Sequence, residues 1–219
     1  MPLSYPISLA LFQDKFKISM AQFYVNSPRQ VDRTAGGSQN SASLGDAVWR
    51  GSFSVPPTNQ RSVSAQLDAL LSVLDRAGSS FLVYDPSKCF PAEDPGGSIL
   101  GGANVTIGSL SGTDARLMSL SGLPASYQLR AGDLLGFSYG SSPTRYALHR
   151  LVEDVQASGA GSTSLFEVTP FISPLATSGA AVSLVKPVMK AVLSPDPDYG
   201  SHRAAISSGK QFSFVQTLR

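Results

Sequence analysis

Residues 136–140, Gly-Phe-Ser-Tyr-Gly, have the G-x-S-x-G spacing that places a nucleophilic serine on a sharp turn. Ser138 would be the nucleophile, and Asp154 and His202 follow it in the order Ser, Asp, His. That chemistry requires a helix directly after the serine, whose N-terminal amides assist the oxyanion. Residues 141–144, Ser-Ser-Pro-Thr, lead instead into a β-rich segment, so we favour a strand end rich in Gly and Ser. We expect no catalytic residues and no enzyme.

Two histidines and one cysteine limit the metal chemistry that the chain could perform. Cys89 alone excludes an internal disulfide and a site with several cysteines. His149 alternates with apolar residues in a predicted strand, and His202 lies in a turn-rich segment, so packing or surface exposure is favoured for both. Zinc would need carboxylates at spacings that the sequence does not display. We expect no metal and no cofactor.

Asp85, Glu93 and Asp94 could form an acid–base pair, but they border prolines and glycines, where acidic residues usually serve turns. Residues 104–106, Asn-Val-Thr, match the N-glycosylation pattern, which matters only in a protein secreted by a eukaryote. Several tyrosines could stack on sugars, although packing in the core or at an interface is favoured: Tyr24, Tyr127, Tyr139, Tyr146 and Tyr199.

Charge and hydropathy exclude two classes of partner. Of the 219 residues, 15% are charged and 42% are apolar, and the net charge is +2. Positive and negative side chains are mixed evenly along the chain, so no basic stripe predicts nucleic-acid binding. We see no signal peptide and no apolar run near 18 residues, so we expect no membrane insertion. A surface poor in charge suits a protein that is buried in an assembly.

The stretch 48–86 predicts strand, helix and strand. Trp49, Phe53 and Val55 recur at the two-residue period of a half-buried strand. A helix over 59–77 follows, capped by Thr58 or Asn59 and ended by Gly78. Its apolar residues recur at helical spacing: Val63, Leu67, Leu70, Leu71 and Leu74. Residues 81–84 are the second strand, and no other segment predicts a convincing helix.

The remaining chain reads as strands and turns. We expect strands over 7–12 and 16–25, a long loop or arm over 26–46, and a domain boundary at the Pro- and Gly-rich segment 91–97. Short strands separated by turns then suggest a small barrel or sandwich; they cover 104–107, 116–120, 134–137, 146–155, 165–168 and 181–185, with a hairpin between 146–152 and 164–168. Strands at 188–193 and 212–215 would return to the first domain.

The predicted fold is mainly β with one prominent α-helix. The predicted domains are 1–95 plus 187–219, a β-sandwich or barrel that carries the helix, and 96–186, an inserted small β-barrel. Chain termini that lie close together make such an insertion tolerable.

Several segments resemble a known family, the distal tail proteins of long-tailed phages and gene transfer agents. Residues 49–53, the helix from Ser62 to Leu74 and residues 78–86 are similar to the tail-hub domain of these proteins. Residues 129–134, 148–152 and 165–170 are similar to its inserted barrel, and 212–218 to its final strand. The first 45 residues match no part of the family, and a separate C-terminal carbohydrate-binding domain, which some members carry, is not evident.

The resemblance implies a structural virion protein. It would form a homo-oligomeric ring, commonly a hexamer, that joins the tail tube protein to the baseplate hub or other tail-tip proteins. It would be made in the bacterial host cytoplasm and end in the virion at the tail tip. Segments 26–46, 91–97 and 194–203 are then the predicted interfaces. The alternatives are another tail ring component, such as a hub or tail terminator, or a carbohydrate-binding β module.

Overall fold

The structure, a computed structural model, describes residues 3–201 and 206–219. Strands make up 37% of the residues and helices 11%, which confirms a mainly β protein. The prediction of a prominent helix over 59–77 was wrong, because the α-helix, α1, covers only Arg61–Leu74 and the other helical segments are single 3-10 turns. These turns are Leu9–Leu11, Gln13–Lys15 and Pro86–Lys88.

One antiparallel sheet has five strands in the order β1-β4-β15-β14-β5. They are β1 (Met20–Asn26), β4 (Val48–Val55), β5 (Phe81–Val83), β14 (Met189–Leu193) and β15 (Lys210–Gln216). Trp49 and Phe53 of β4 are buried and Val55 is half-buried, as their two-residue spacing predicts. The C-terminal strand β15 lies at the centre of this sheet, between β4 and β14.

Helix α1 packs against the core of the five-stranded sheet. Leu67, Leu71 and Leu74 are buried there with Phe53 and Phe81. The predicted cap at Thr58 or Asn59 was wrong, because the residue before the helix is Gln60, and the helix starts two residues later than predicted. Thr58 Oγ1 instead accepts a hydrogen bond from the N–H of Gln60. The side chain of Lys210 in β15 is buried, and its Nζ donates to Asp68 Oδ1 of the helix at 2.5 Å.

The second sheet has six strands in the order β13-β9-β10-β12-β7-β6 and is nearly closed into a barrel. They are β6 (Thr106–Leu110), β7 (Leu117–Ser121), β9 (Leu134–Tyr139), β10 (Arg145–Leu151), β12 (Phe166–Thr169) and β13 (Val182–Ser183). Each corresponds to a predicted strand, and β10 pairs with β12 as the predicted hairpin requires. Two further short strands, β8 (Gln128–Leu129) and β11 (Val155–Gln156), pair with each other beside the barrel.

The two ends of the six-stranded sheet meet through backbone hydrogen bonds. The N–H of Val182 donates to Val105 O at 2.8 Å, and the N–H of Ile107 donates to Ala180 O at 2.9 Å. The nearly closed sheet surrounds one apolar cluster, in which Met118, Leu120 and Phe166 are almost fully buried.

The first 46 residues depart from the sequence prediction. Residues 7–12 contain the first 3-10 turn instead of a strand, with Ile7 paired to Phe81 in a single parallel bridge. Residues 26–46 are not a structureless loop, because β2 (Arg29–Arg33) and β3 (Gln39–Ser43) form an antiparallel hairpin. We call residues 28–44 the arm.

Both sheets are joined at β4 and β10. The indole N–H of Trp49 donates to Leu148 O at 2.6 Å, and the Arg150 guanidinium lies 4.8 Å from the centre of the Trp49 ring. Leu134 and Leu148 point out of the barrel into the core of the five-stranded sheet. The segments through which the chain enters and leaves the barrel lie side by side. The N–H of Lys186 in one donates to Cys89 O in the other at 2.7 Å.

Candidate functional site

Ser138, the candidate nucleophile, lies inside a strand. It is the fifth residue of β9 and pairs with Tyr146 of β10, so the G-x-S-x-G motif leads into an antiparallel hairpin turn. An oxyanion site of the nucleophile-elbow type needs a helix N-terminus directly after the serine. The strand–turn–strand geometry at Ser138 does not provide one.

The other two members of the predicted triad have separate places. Asp154 accepts hydrogen bonds from Nη1 of Arg130 and from the N–H of Ala131, both at 2.8 Å. These donors lower the pKa of Asp154, the Ala131 N–H more than the guanidinium. His202 lies outside the described residues. Asp154 therefore serves the turn at 130–131, together with Glu93, which binds the same guanidinium at 2.7 Å.

The remaining candidate carboxylates also hold turns. Asp85 precedes the 3-10 turn Pro86–Lys88 and accepts from the N–H of Ser87 at 2.9 Å. Asp94 is buried, and its carboxylate accepts from the N–H of Leu100 at 2.8 Å and from the Tyr127 hydroxyl at 3.2 Å. Burial would raise the pKa of Asp94, but the hydrogen bonds outweigh it and the pKa is lowered. Both carboxylates act as acceptors for local structure.

Within residues 3–201 and 206–219, no group of three or more His, Cys, Asp or Glu side chains could hold a metal ion. Cys89 is half-buried, and its thiol donates to Pro86 O at 3.3 Å. Burial raises the pKa of this thiol. Over the same residues, no helix is long and apolar enough to cross a membrane.

The outer strand of the five-stranded sheet, β1, has a free edge. Among the described residues it pairs with β4 alone. Its sequence, Met-Ala-Gln-Phe-Tyr-Val-Asn, contains no charged residue and no proline. Natural edge strands usually carry such residues, which discourage pairing with another chain. This edge therefore remains competent to pair.

Large side chains line the solvent face of β1. Met20 is 61% exposed and Tyr24 50% exposed, and they alternate with half-buried residues such as Phe23. Phe23 packs its ring 5.3 Å from Phe214, which anchors β1 to the sheet. The sequence shows that residues 20–26 alternate and carry no charge. Only the sheet order shows that β1 lies at an edge.

The arm extends from the β1 and β4 end of the sheet and is exposed along both of its strands. All five residue pairs between β2 and β3 are in register, and Leu44 N–H donates to Pro28 O at 2.9 Å where the arm begins. At the tip, Thr34 N–H donates to Ser38 O at 3.0 Å. Five residues at about 3.3 Å each give strands about 16 Å long.

No hydrophobic layer supports the arm. Leu44 is 66% exposed and Val31 is 41% exposed, and every residue from 29 to 46 is exposed. An isolated two-stranded hairpin is at best marginally stable in water. An arm of this kind gains stability when its backbone and its few apolar side chains contact another surface.

The other two predicted interface segments lie against their own subunit. In 91–97, the N–H of Ala92 donates to Asp133 Oδ1 at 3.0 Å. In the described part of 194–203, Asp198 and Gln211 exchange backbone hydrogen bonds at 2.8 and 3.2 Å. Residues 202 and 203 lie outside the described residues. We therefore take the candidate assembly surface to be the β1 edge and the arm.

Comparison with known proteins adds no assignment, since no protein-family model and no curated protein matches the chain.

Proposed function

We propose that the protein is a distal tail protein of a long-tailed phage or gene transfer agent. Its subunits would form a ring, for which the sequence resemblance implies six copies, between the tail tube protein and the baseplate or tail tip. The uncharged free edge of β1 next to a fully exposed arm carries the proposal. The sequence resemblance outlined above supplies the position in the tail.

Ring closure requires each subunit to present one surface to a neighbour and to receive a different one. The β1 edge offers backbone groups that another strand could pair with, and the arm offers two exposed strands about 16 Å long. The arm carries Arg29, Asp32 and Arg33, so its contacts include charged groups as well as the exposed Val31 and Leu44.

The oligomeric state of the purified protein tests this proposal. Light scattering across a concentration series, followed by negative-stain imaging, should show closed rings. Replacing 29–43 by Asn-Gly, which suits a two-residue hairpin loop, should remove the rings while the remaining protein still unfolds cooperatively. Rings that persist without the arm would contradict its role, and a wild-type protein that remains monomeric throughout the series would contradict ring formation.

Point substitutions separate the arm from general surface hydrophobicity. Val31→Ser with Leu44→Ser should weaken assembly. The matched control is Val152→Ser with Leu165→Ser, because these residues on the barrel are 49% and 47% exposed. Tyr24→Lys tests the β1 edge, since a lysine there discourages strand addition. If the barrel control weakens assembly as strongly as the arm variant, the arm is not a specific contact.

We also infer that 96–186 is an inserted unit within 1–95 plus 187–219. The neighbouring entry and exit of the chain at Cys89 and Lys186 support this arrangement. Deleting 96–186 with a short linker should leave a remainder that unfolds cooperatively but less stably, because Leu134 and Leu148 are lost from its core. Calorimetry measures the unfolding of this remainder. Loss of all cooperative unfolding would contradict the inference.

A further inference from the structure

A polar groove of about 470 Å³ lies along β1, the free edge of the five-stranded sheet. Residues 21–24 of β1 line it on one side, and Asp85, Ser87, Lys88 and Arg150 supply its other groups. Consecutive residues of an edge strand include backbone N–H and C=O groups that have no partner in the sheet. The groove therefore offers main-chain groups and charged side chains to the same occupant.

Arg150 is a cation of this groove without a partner of opposite charge. Its guanidinium lies 4.8 Å from the centre of the Trp49 ring, and this contact orients the group. Its Nε is buried without a hydrogen-bond partner, and its Nη groups bond to none of the residues that the structure describes. The Nη groups are not buried, so a carboxylate in the groove can contact them. The planar guanidinium matches the two oxygens of a carboxylate.

The neighbouring charges leave Arg150 available. Asp85 holds its own turn, because its Oδ1 accepts from the N–H and the hydroxyl of Ser87 at 2.9 and 2.6 Å. Lys88 Nζ donates to Gly132 O at 2.6 Å. Neither cation forms a salt bridge with another described residue. Two cations and one carboxylate leave the groove with a formal excess of one positive charge, which favours an anionic group.

The arm carries a carboxylate that suits this groove. Two strands among the described residues contain an acidic residue, Asp32 in β2 and Glu167 in β12. Strand β12 is paired on both sides, whereas β2 pairs with β3 alone and keeps one edge free. Asp32 accepts from Gln30 Nε2 at 3.3 Å and forms no salt bridge within the described part of the chain. Every residue from 29 to 43 is exposed, so the arm does not occupy the groove of its own subunit.

We propose that strand β2 of a second copy lies along the β1 edge, with its Asp32 carboxylate bound to the Nη groups of Arg150. This contact rests on the proposed function, which assigns the arm and the β1 edge to neighbouring subunits. Strand pairing supplies the backbone hydrogen bonds, and the ion pair selects the register of the two strands.

The alternation of side chains in β2 supports this arrangement. Asp32 lies on one face of β2, and the opposite face carries three larger side chains: Arg29, Val31 and Arg33. Arg150 stacks on Trp49, which is buried on the core side of the five-stranded sheet, whereas Tyr24 of β1 is 50% exposed on the outer side. With Asp32 on the side of Arg150, Val31 meets Tyr24, and the two arginines of β2 point away from Arg150.

Charge reversal with complementation tests the contact in the full chain. Asp32→Lys and Arg150→Glu should each weaken self-association by about tenfold or more, because like charges then face each other. Light scattering across a concentration series measures this. An equimolar mixture of the two variants should regain association, because opposite charges meet wherever the variants alternate. A mixture that associates as weakly as its components would overturn the proposal.

Two further variants make the test independent of the packing of Arg150. Ser87 is exposed and lines the groove, so Ser87→Glu adds a carboxylate that competes with Asp32 and should weaken association. Asp75→Lys is the matched control for Asp32→Lys, because Asp75 is exposed directly after α1 and lies outside the groove and the arm. If the control weakens association as strongly as Asp32→Lys, the Asp32 contact is not specific and the proposal is overturned.

Negative-stain imaging separates this contact from ring formation. Wild-type rings that persist in Asp32→Lys and Ser87→Glu would overturn the contact and leave the ring proposal standing. Wild-type dimers or open chains that both substitutions dissociate would support the contact and contradict a closed ring. A wild-type protein that stays monomeric throughout the series would contradict both.

Discussion

The barrel and the arm are both built from antiparallel strands, but their edges and faces meet different surroundings. In the barrel, the first and last strands meet through Val105 and Val182, and the interior is filled by residues such as Phe166. In the arm, both strands are exposed on both faces. Closed edges and a filled interior give stability to the barrel, whereas the arm keeps its backbone and side chains available to a partner.

This difference shows that hydrogen-bonded pairing alone does not make a strand part of the folding core. The arm has five residue pairs in register, whereas β10 and β12 have two. The barrel strands are stabilised by the apolar surface that they bury together. We therefore expect changes in the barrel to affect unfolding and changes in the arm to affect assembly.

The largest effect on stability is expected inside the barrel. Phe166→Ala removes a ring that is almost fully buried, and should lower the free energy of unfolding by about 3–5 kcal/mol. Leu165→Ala is the control, because Leu165 directly precedes Phe166 but is 47% exposed. Its replacement should change the free energy of unfolding little. Urea denaturation measures the free energy of unfolding of both variants, and an unchanged m value shows that the difference is one of stability. Equal losses would contradict the assignment of these two residues to opposite faces.

Acid should destabilise the barrel through His149. Its pKa is lowered from 6.5 to about 4 in the folded state by burial, so the unfolded chain binds the extra proton between these pH values. Stability is therefore full above pH 6.5 and should fall by roughly 3 kcal/mol as the pH decreases to 4.

Urea titrations across this pH range, compared with His149→Gln, should show the decrease in the wild type and a flatter profile in the variant. Identical slopes would show that another group titrates there.

A smaller effect is expected where β1 meets β4. A Cβ added at Gly51 would lie 2.5 Å from Gln22 O of β1 and 2.5 Å from Cζ of Phe214. Gly51→Ala should therefore cost about 1–3 kcal/mol by overpacking, and should displace β1. At Gly102 an added Cβ meets no atom within 4 Å, so Gly102→Ala is the matched control. Thermal unfolding of the two variants checks this, and equal melting temperatures would contradict the close contact.

The smallest change in stability is expected from removing the arm. Replacing 29–43 by Asn-Gly should alter the free energy of unfolding of the monomer by no more than about 0.5 kcal/mol, because every residue from 29 to 43 is exposed. Urea denaturation at a concentration where the wild type is monomeric measures this. A loss comparable to that of Phe166→Ala would show that the arm belongs to the folding core, and the contrast with the barrel would not hold.

The sequence by itself determined the local elements with strong periodicity. Trp49 and Phe53 alternate onto one face of β4, and Leu67, Leu71 and Leu74 form the buried face of α1. The barrel strands also fall where short apolar runs are separated by turn residues. These patterns could be predicted because each depends on neighbours within one strand or one helical turn. The spacing of apolar residues in the sequence gives the period directly.

The tertiary structure alone decided which edges are free, which are closed and where a groove forms. Residues 7–12 are as apolar as a strand but form a 3-10 turn, and β1 is an edge although its sequence would suit a central strand. The Nδ1 of His149 meets the carbonyl oxygen of Pro170, whereas its buried Nε2 meets no hydrogen-bond partner among the described residues. Each outcome depends on contacts between residues distant in the chain, and local periodicity carries no information about those contacts.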